Sequence, residues 1–127
     1  MDILLHAHSG LRYLVLLVGI GALAVLLRRL ATGSDRALGR GAMAVFVALV
    51  HVQVLLGFAL LVTITFYSAL MGHIMMMIFA AVAATGGAII ARRSEDAHEA
   101  LVVQTVGVAG TLLAIVFGIL AIGRSIL

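Results

Sequence analysis

The residues in this sequence best suited to binding or catalysis are a few polar side chains inside long apolar segments. They are His6, His8, Arg12, His51, Gln53 and His73. A polar side chain in an apolar membrane segment is costly and by default marks a functional site. A lone histidine there more often makes a packing hydrogen bond, but several in one short chain favour a ligand site. Imidazole nitrogen is a common metal ligand, so metal or cofactor binding is the first chemistry to consider.

The composition indicates what surrounds these residues. Apolar residues make up 65% of the 127 residues and charged residues 10%, whereas an ordinary soluble domain is about half apolar and a quarter charged. A chain of this length forms one domain, and its core cannot absorb so much apolar surface. The excess must face the lipid bilayer.

The charges divide the chain into membrane spans. Residues 41–91 contain no Asp, Glu, Lys or Arg, and this stretch is too long for one span of about 20 residues. Its only plausible turn is 66–72. Each apolar run is near-continuous, which is typical of helices and not of barrel strands. We therefore predict an all-α integral membrane four-helix bundle, one domain over 1–127, with spans at about 4–27, 41–65, 71–91 and 100–123.

The arginines predict the orientation. All eight basic residues are Arg, and six of them lie in the first and third loops: Arg28, Arg29, Arg36, Arg40, Arg92 and Arg93. The positive-inside rule places these loops in the cytoplasm and both termini outside. The net charge of +3 thus reflects topology, and we expect no nucleic-acid partner. With no Cys, thiolate metal sites and Fe–S clusters are excluded.

Small residues recur at helical spacing in the third and fourth spans. They are Ala80, Ala84, Gly87 and Ala91, then Gly107, Gly110, Ala114, Gly118 and Ala121. Such residues let membrane helices approach closely. Two interpretations stay open, which are ordinary tight packing and flat faces against a planar cofactor.

Depth indicates which polar residues can act together. His8 and His73 each lie about one turn below the outer end of their spans, and Arg12 is one turn below His8 on the same face. His8 and His73 can therefore meet across one ligand. The spans carry no carboxylate and no Cys, so a haem that needs only axial ligands fits better than a bare metal ion. Arg12 then pairs with a haem propionate, or else extends to lipid phosphates.

His51 lies about 10 Å deeper than this pair. Three roles are open: ligand of a deeper haem, hydrogen-bond donor to a quinone or haem edge, or packing residue. The nearest candidates on other helices are Thr85 and Thr111, neither a usual haem ligand, and His98 could serve only if span two began near Asp35. We therefore expect a single haem b, with His51 and Gln53 beside the pocket.

These motifs resemble a family. His8-Ser9-Gly10-Leu11-Arg12-Tyr13, His51-Val52-Gln53 with Gly57, and Gly72-His73 followed by Met75-Met76-Met77 are similar to small bacterial four-span proteins labelled cytochrome-b-like. The resemblance covers nearly the whole chain and implies haem and a location in the bacterial inner membrane. The chain departs from the family pattern at Gly72, where Glu is usual, and at Tyr13, where Trp is common. The missing Glu weakens a proton-transfer role.

Two functions from different classes follow. The first is a b-type haem protein that transfers electrons within or across the membrane, alone, as a homo-oligomer or as a subunit of a redox complex. The second is a non-redox accessory subunit whose histidines hydrogen-bond between helices. Proton conduction is a weaker third, because the histidine chain is sparse. A stand-alone enzyme is not expected, since no domain outside the membrane is available for a catalytic site.

The topology is testable with fusions. An alkaline phosphatase joined at the C-terminus should be active, because that end is predicted to lie outside. The same enzyme inserted after Asp35 or Glu95 should be inactive. A fluorescent C-terminal fusion together with an inactive C-terminal phosphatase would contradict the predicted orientation.

Overall fold

The computed structural model describes residues 2–126. Within that range the chain forms α1 (Asp2–Ala31), α2 (Arg40–Leu61), α3 (Ser68–Arg93) and α4 (Ala97–Ala121), with no strand. Each helix is long and apolar enough to cross a membrane. The predicted all-α bundle is confirmed over the described residues, and the protein is a multi-pass membrane protein. Residues 1 and 127 of the predicted domain lie outside the described range.

The second loop lies earlier than predicted. α2 ends at Leu61, not at 65, and the loop spans 62–67, so Gly72 belongs to α3. The run Val62-Thr63-Ile64-Thr65 is β-branched, which disfavours helix. Both the backbone N–H and the hydroxyl of Thr63 donate to the Leu60 carbonyl, at 2.8 and 2.7 Å. This tight turn ends α2.

The start of α4 is also earlier than the predicted 100. Asp96 is the N-cap residue, and its carboxylate accepts a hydrogen bond from the His98 backbone N–H at 3.0 Å. A capping carboxylate accepts a hydrogen bond from one of the free N–H groups at a helix start, and its negative charge is attracted to the positive end of the helix dipole. The helix therefore begins at Ala97.

The helices form a ring in chain order. α1 contacts α2 and α4, and α3 contacts the same two helices, whereas α1 and α3 do not pack against each other. α1 and α3 thus face each other diagonally across the bundle. We call the end where α1 and α3 begin the terminal end, and the end with loops 32–39 and 94–96 the loop end.

The closest approach in the bundle is between α3 and α4. A Cβ added at Gly87 would lie 3.0 Å from Gly107 Cα, and one at Gly107 would lie 3.2 Å from the Ala83 carbonyl oxygen. The predicted α3 face is buried at Met77, Ala80, Ala84, Gly87 and Ala91. At Gly87 and Gly107, the small residues serve helix packing.

The first loop is held at the loop end by backbone and side-chain hydrogen bonds. Arg29 donates to the carbonyls of Arg36 and Ala37, at 2.9 and 3.0 Å. The Gln104 amide of α4 accepts from Leu38 N–H at 2.7 Å and donates to Leu38 O at 3.1 Å. His98 lies 3.3 Å from Asp35. His98 is therefore engaged at the surface, and because α2 begins at Arg40, it does not join His51.

Two adjacent glycines provide a test of the helix contact. Gly87→Ala should destabilise the bundle by about 1–3 kcal/mol, because its methyl group meets backbone that cannot rotate away. Gly86 has open space around it, so Gly86→Ala should be neutral or stabilising by up to about 1 kcal/mol from helix propensity. Thermal unfolding in detergent micelles measures both. Equal melting temperatures for the two variants would contradict this packing.

Candidate functional site

A cavity of about 310 Å³ opens at the terminal end of the bundle. Its walls come from all four helices and are mostly apolar, with contributions from residues such as Val15, Val54, Ile115 and Ile119. The polar groups on its surface are few: His8, Ser9, Arg12, Gln53, Tyr67, His73 and Arg124. An apolar cavity with a small number of convergent polar groups is the usual form of a small-molecule or cofactor site.

His8 and His73 face each other across this cavity. Their ring centroids are 6.4 Å apart and the ring planes are inclined at 79°. The two residues come from the diagonal helices α1 and α3, whose backbones do not pack together. The space between those helices is therefore bridged by the two imidazoles.

His73 is oriented by α4. Its Nδ1–H donates to the Gly118 carbonyl at 2.8 Å, and since a carbonyl only accepts, the proton of the neutral ring is on Nδ1. Nε2 then carries the lone pair. A Cβ at Gly118 would lie 2.6 Å from Met77 Cε and 3.5 Å from His73 Nδ1. Glycine at 118 thus makes room for the Met77 side chain beside His73.

His8 is oriented by α2. The Gln53 amide nitrogen donates to the His8 backbone carbonyl at 2.9 Å and lies 3.5 Å from the ring Nε2. A Cβ at Gly57 would lie 3.2 Å from His8 Cε1, between the two ring nitrogens. The lack of a side chain at Gly57 leaves room for the imidazole.

Three buried polar atoms of residues that line the cavity have no hydrogen-bond partner among the described residues. They are His8 Nδ1, Gln53 Oε1 and Arg12 Nε. An unsatisfied buried polar atom costs roughly 1–3 kcal/mol, and three of them among the residues that line one cavity favour a ligand at this site. These atoms provide both donor and acceptor capacity.

The Arg12 guanidinium contacts the side chain of the adjacent residue, Tyr13. One guanidinium nitrogen donates to the Tyr13 hydroxyl at 2.8 Å, and the guanidinium carbon lies 4.7 Å from the Tyr13 ring centroid. Among the described residues it pairs with no carboxylate. Its charge remains available to an anionic group in or beside the cavity.

Four residues of this site are not among the predicted site residues, although Gly57 belongs to the second motif and Gly118 to the small-residue stripe of the fourth span. Arg124 and Tyr67 line the cavity, and Gly57 and Gly118 leave the space around the histidines. Arg124 could have been found, because the predicted topology places it on the same side as Arg12. The roles of the glycines depend on which helices are neighbours.

The structure separates His51 from the other candidates. It lines a different cavity and bonds Thr85 Oγ1 through Nε2 at 2.8 Å. Of the two threonines considered, Thr85 is its partner, while Thr111 donates to Gly107 O at 2.7 Å. His6 does not line the terminal-end cavity. The cavity thus joins His8, Arg12, Gln53 and His73.

The donor set fits a haem better than a bare metal ion. The described residues contain no group of three or more His, Cys, Asp or Glu side chains able to hold a metal. Two imidazoles that bind one metal ion from opposite sides, with metal–nitrogen bonds of about 2.0–2.1 Å, have ring centroids about 6 Å apart. The observed centroid separation of 6.4 Å is close to that value, but the nitrogen-bearing edge of the His8 ring lies against Gly57 and Gln53 of α2, so ligation would require the His8 ring to turn. His73 Nδ1–H bound to a carbonyl is also the usual way in which a ligating histidine is fixed.

Comparison of the chain with protein-family models, with curated proteins and with solved structures finds no match. The functional argument therefore depends on the geometry of the site and on the residues that form it.

A comparison of Gln53, near the terminal end of the bundle, with Gln104, near the loop end, tests whether Gln53 Oε1 lacks a partner in the protein. In protein stripped of bound ligand, Gln104→Met should cost more stability than Gln53→Met. Both amide atoms of Gln104 are hydrogen-bonded, at about 0.5–1.5 kcal/mol each, whereas Gln53→Met also removes an unsatisfied oxygen. Thermal unfolding in micelles measures the difference. An equal or larger loss in stripped Gln53→Met would show that Gln53 Oε1 has a protein partner.

Proposed function

We propose that this protein is a b-type haem protein of the bacterial inner membrane that transfers electrons within or across the bilayer, on its own or within a larger redox complex. The observation that carries the proposal is the His8–His73 pair, whose ring centroids lie 6.4 Å apart in a mostly apolar cavity. The resemblance of the three histidine motifs to cytochrome-b-like proteins supports it.

Each side of the proposed site has its own supporting residues. His73 would present Nε2 to the iron, because Nδ1–H is held by Gly118 O. His8 would be the second ligand through one of its ring nitrogens, of which Nδ1 has no hydrogen-bond partner among the described residues. A haem iron with two axial protein ligands supplies one-electron redox chemistry.

The remaining residues would bind and shield the group. Arg12 and Arg124 line the same cavity and are suited to pair with propionates, since a guanidinium binds a carboxylate well. The apolar walls would exclude water, and such a low-dielectric environment is one of the ways in which a protein adjusts a redox potential.

An enzyme acting alone on a soluble substrate is not favoured. The connections 32–39, 62–67 and 94–96 are short, so the described chain offers no domain outside the membrane for a soluble catalytic site. An electron-transfer protein needs only its cofactor and surfaces for its redox partners.

The alternative is a non-redox accessory subunit. Two of the histidines connect neighbouring helices: Gln53 of α2 bonds His8 of α1, and His73 of α3 bonds Gly118 of α4. In this view the polar residues stabilise the bundle, and the membrane subunit acts through protein partners. The same hydrogen bonds are therefore compatible with either function, whereas the three unpartnered atoms favour a ligand.

Absorption spectra of protein purified in detergent test the proposal. The reduced-minus-oxidised spectrum should show a low-spin b haem at about one per chain by pyridine haemochrome analysis, as expected from one pair of axial histidines. His8→Ala or His73→Ala should lose the haem or make it high-spin. His98→Ala and His51→Ala should retain one haem, because His98 pairs with Asp35 and His51 lies in another cavity.

Folding must be measured in parallel. Helical circular dichroism and elution volume should stay unchanged in the alanine variants. Folded wild-type protein that takes up no added haemin would support the accessory function. A normal low-spin spectrum in both His8→Ala and His73→Ala, or a ratio near two that falls to one in His51→Ala, would contradict the ligand assignment.

A further inference from the structure

A second cavity of about 470 Å³ lies at the loop end, between α2 and α3 with α4 behind it. It is lined by small and apolar side chains, among them Ala44, Ala48 and Ala88. Its polar lining residues are His51, which is exposed on the outer surface of α2, with Thr85, Arg40, Arg92 and Gln104. It shares no lining residue with the cavity of His8 and His73.

Helix geometry places the polar groups of this cavity at two depths. His51 is eleven residues after Arg40, or about 16 Å along α2, and Thr85 is seven residues before Arg92, or about 10 Å along α3. The arginines therefore mark the edge of the membrane and the His51–Thr85 pair lies within the apolar region. A ligand that enters the cavity from the bilayer meets the imidazole well inside the span.

Thr85 orients His51. Other threonines in this bundle donate to carbonyls of their own helix, as Thr105 does to Leu101 O at 2.7 Å and Thr111 to Gly107 O at 2.7 Å. The Thr85 hydroxyl instead lies 2.8 Å from His51 Nε2. When this hydroxyl donates to Nε2, the neutral imidazole carries its proton on Nδ1. Among the described residues Nδ1 has no hydrogen-bond partner.

A free N–H donor in an apolar region is costly, because no water is present there to accept its hydrogen bond. A phospholipid would place its phosphate at Arg40 and Arg92 and leave hydrocarbon beside His51, which does not satisfy the donor. A planar apolar ring with carbonyl oxygens satisfies it. One carbonyl would accept from His51 Nδ1–H while the ring packs on the alanine wall formed by Ala44, Ala48 and Ala88.

We propose that this loop-end cavity binds a membrane quinone through a hydrogen bond from His51 to a ring carbonyl, with Thr85 as the residue that sets the imidazole tautomer. The site depends on His51, Thr85 and the alanine wall. It does not require haem in the terminal-end cavity, so each proposal can fail separately.

Binding of decylubiquinone to the full chain in detergent micelles, measured by isothermal titration calorimetry, tests this site. His51→Leu should weaken binding about tenfold, which corresponds to about 1.4 kcal/mol, within the range for one buried hydrogen bond. Ala48→Phe should abolish binding by filling the cavity. Thr85→Val should weaken it about threefold, since the tautomer is no longer fixed.

Matched controls separate binding from folding. Thr105→Val removes a hydroxyl that bonds only its own helix, and His98→Leu removes a surface imidazole, so both should bind as the wild type does. Ala48→Phe should keep the helical circular dichroism and elution volume of the wild type, and Ala48 does not line the other cavity. In ¹⁵N-histidine spectra, decylubiquinone should shift the His51 Nδ1 signal and leave that of His98 unchanged.

The opposite results would overturn the proposal. Quinone binding that survives both His51→Leu and Ala48→Phe would place the ligand elsewhere. Binding lost only in the double variant Arg40→Gln/Arg92→Gln, together with phosphatidylglycerol retained by the wild type in native mass spectrometry, would make the cavity a lipid headgroup site. Absence of quinone binding in folded wild-type protein would also refute it.

Discussion

Gly87 of α3 and Gly107 of α4 bring two helix backbones into direct contact, and much of the bundle depends on that approach. Because lipid is as apolar as the side chains, membrane helices gain little from hydrophobic burial against each other and rely on close packing. α4 is the helix with the most buried residues. From this position it presents Gly118 O to His73 and the Gln104 amide to Leu38.

The second constraint is that polar groups in an apolar medium need partners from the chain or from a ligand. Thr105, Thr111 and Gln104 meet it within the protein. At the terminal end, His8 Nδ1, Gln53 Oε1 and Arg12 Nε do not. At the loop end, His51 Nδ1 also has no hydrogen-bond partner among the described residues, since His51 bonds Thr85 through Nε2. The unsatisfied groups therefore belong to residues that line the two cavities, but lining a cavity does not by itself leave a group unsatisfied, since Gln104 also lines the loop-end cavity.

The two cavities lie at opposite ends of one small bundle. The terminal-end cavity has two facing imidazoles and two arginines, which suits an anionic planar cofactor with a metal centre. The loop-end cavity has one imidazole set by a threonine, which suits an uncharged ring with an acceptor oxygen. If both proposals hold, a quinone and a haem lie along the same bundle, an arrangement that would carry electrons between the two sides of the membrane.

The sequence by itself determined the class of fold and which polar residues lie together at the terminal end. Continuous apolar runs without Pro, separated by charged clusters, predicted helical spans, because only a helix satisfies its own backbone in lipid. Helix rise placed His8 and His73 at one depth, and the i+4 spacing placed Arg12 below His8. Helix ends were less accurate: the turn expected at 66–72 is at 62–67, since local β-branching and the Thr63 bonds to Leu60 end α2 early.

Only the tertiary structure decided which helices are neighbours, and the rest of the site follows from that. Depth along a span does not reveal the direction in which a side chain points. His51 is two residues from Gln53, about 200° around the helix, so one lines the loop-end cavity and the other bonds His8. Likewise the small-residue stripes could not separate packing from a cofactor face. The partner of each glycine, a Gly107 backbone for Gly87 and the Met77 and His73 side chains for Gly118, depends on contacts between segments distant in sequence.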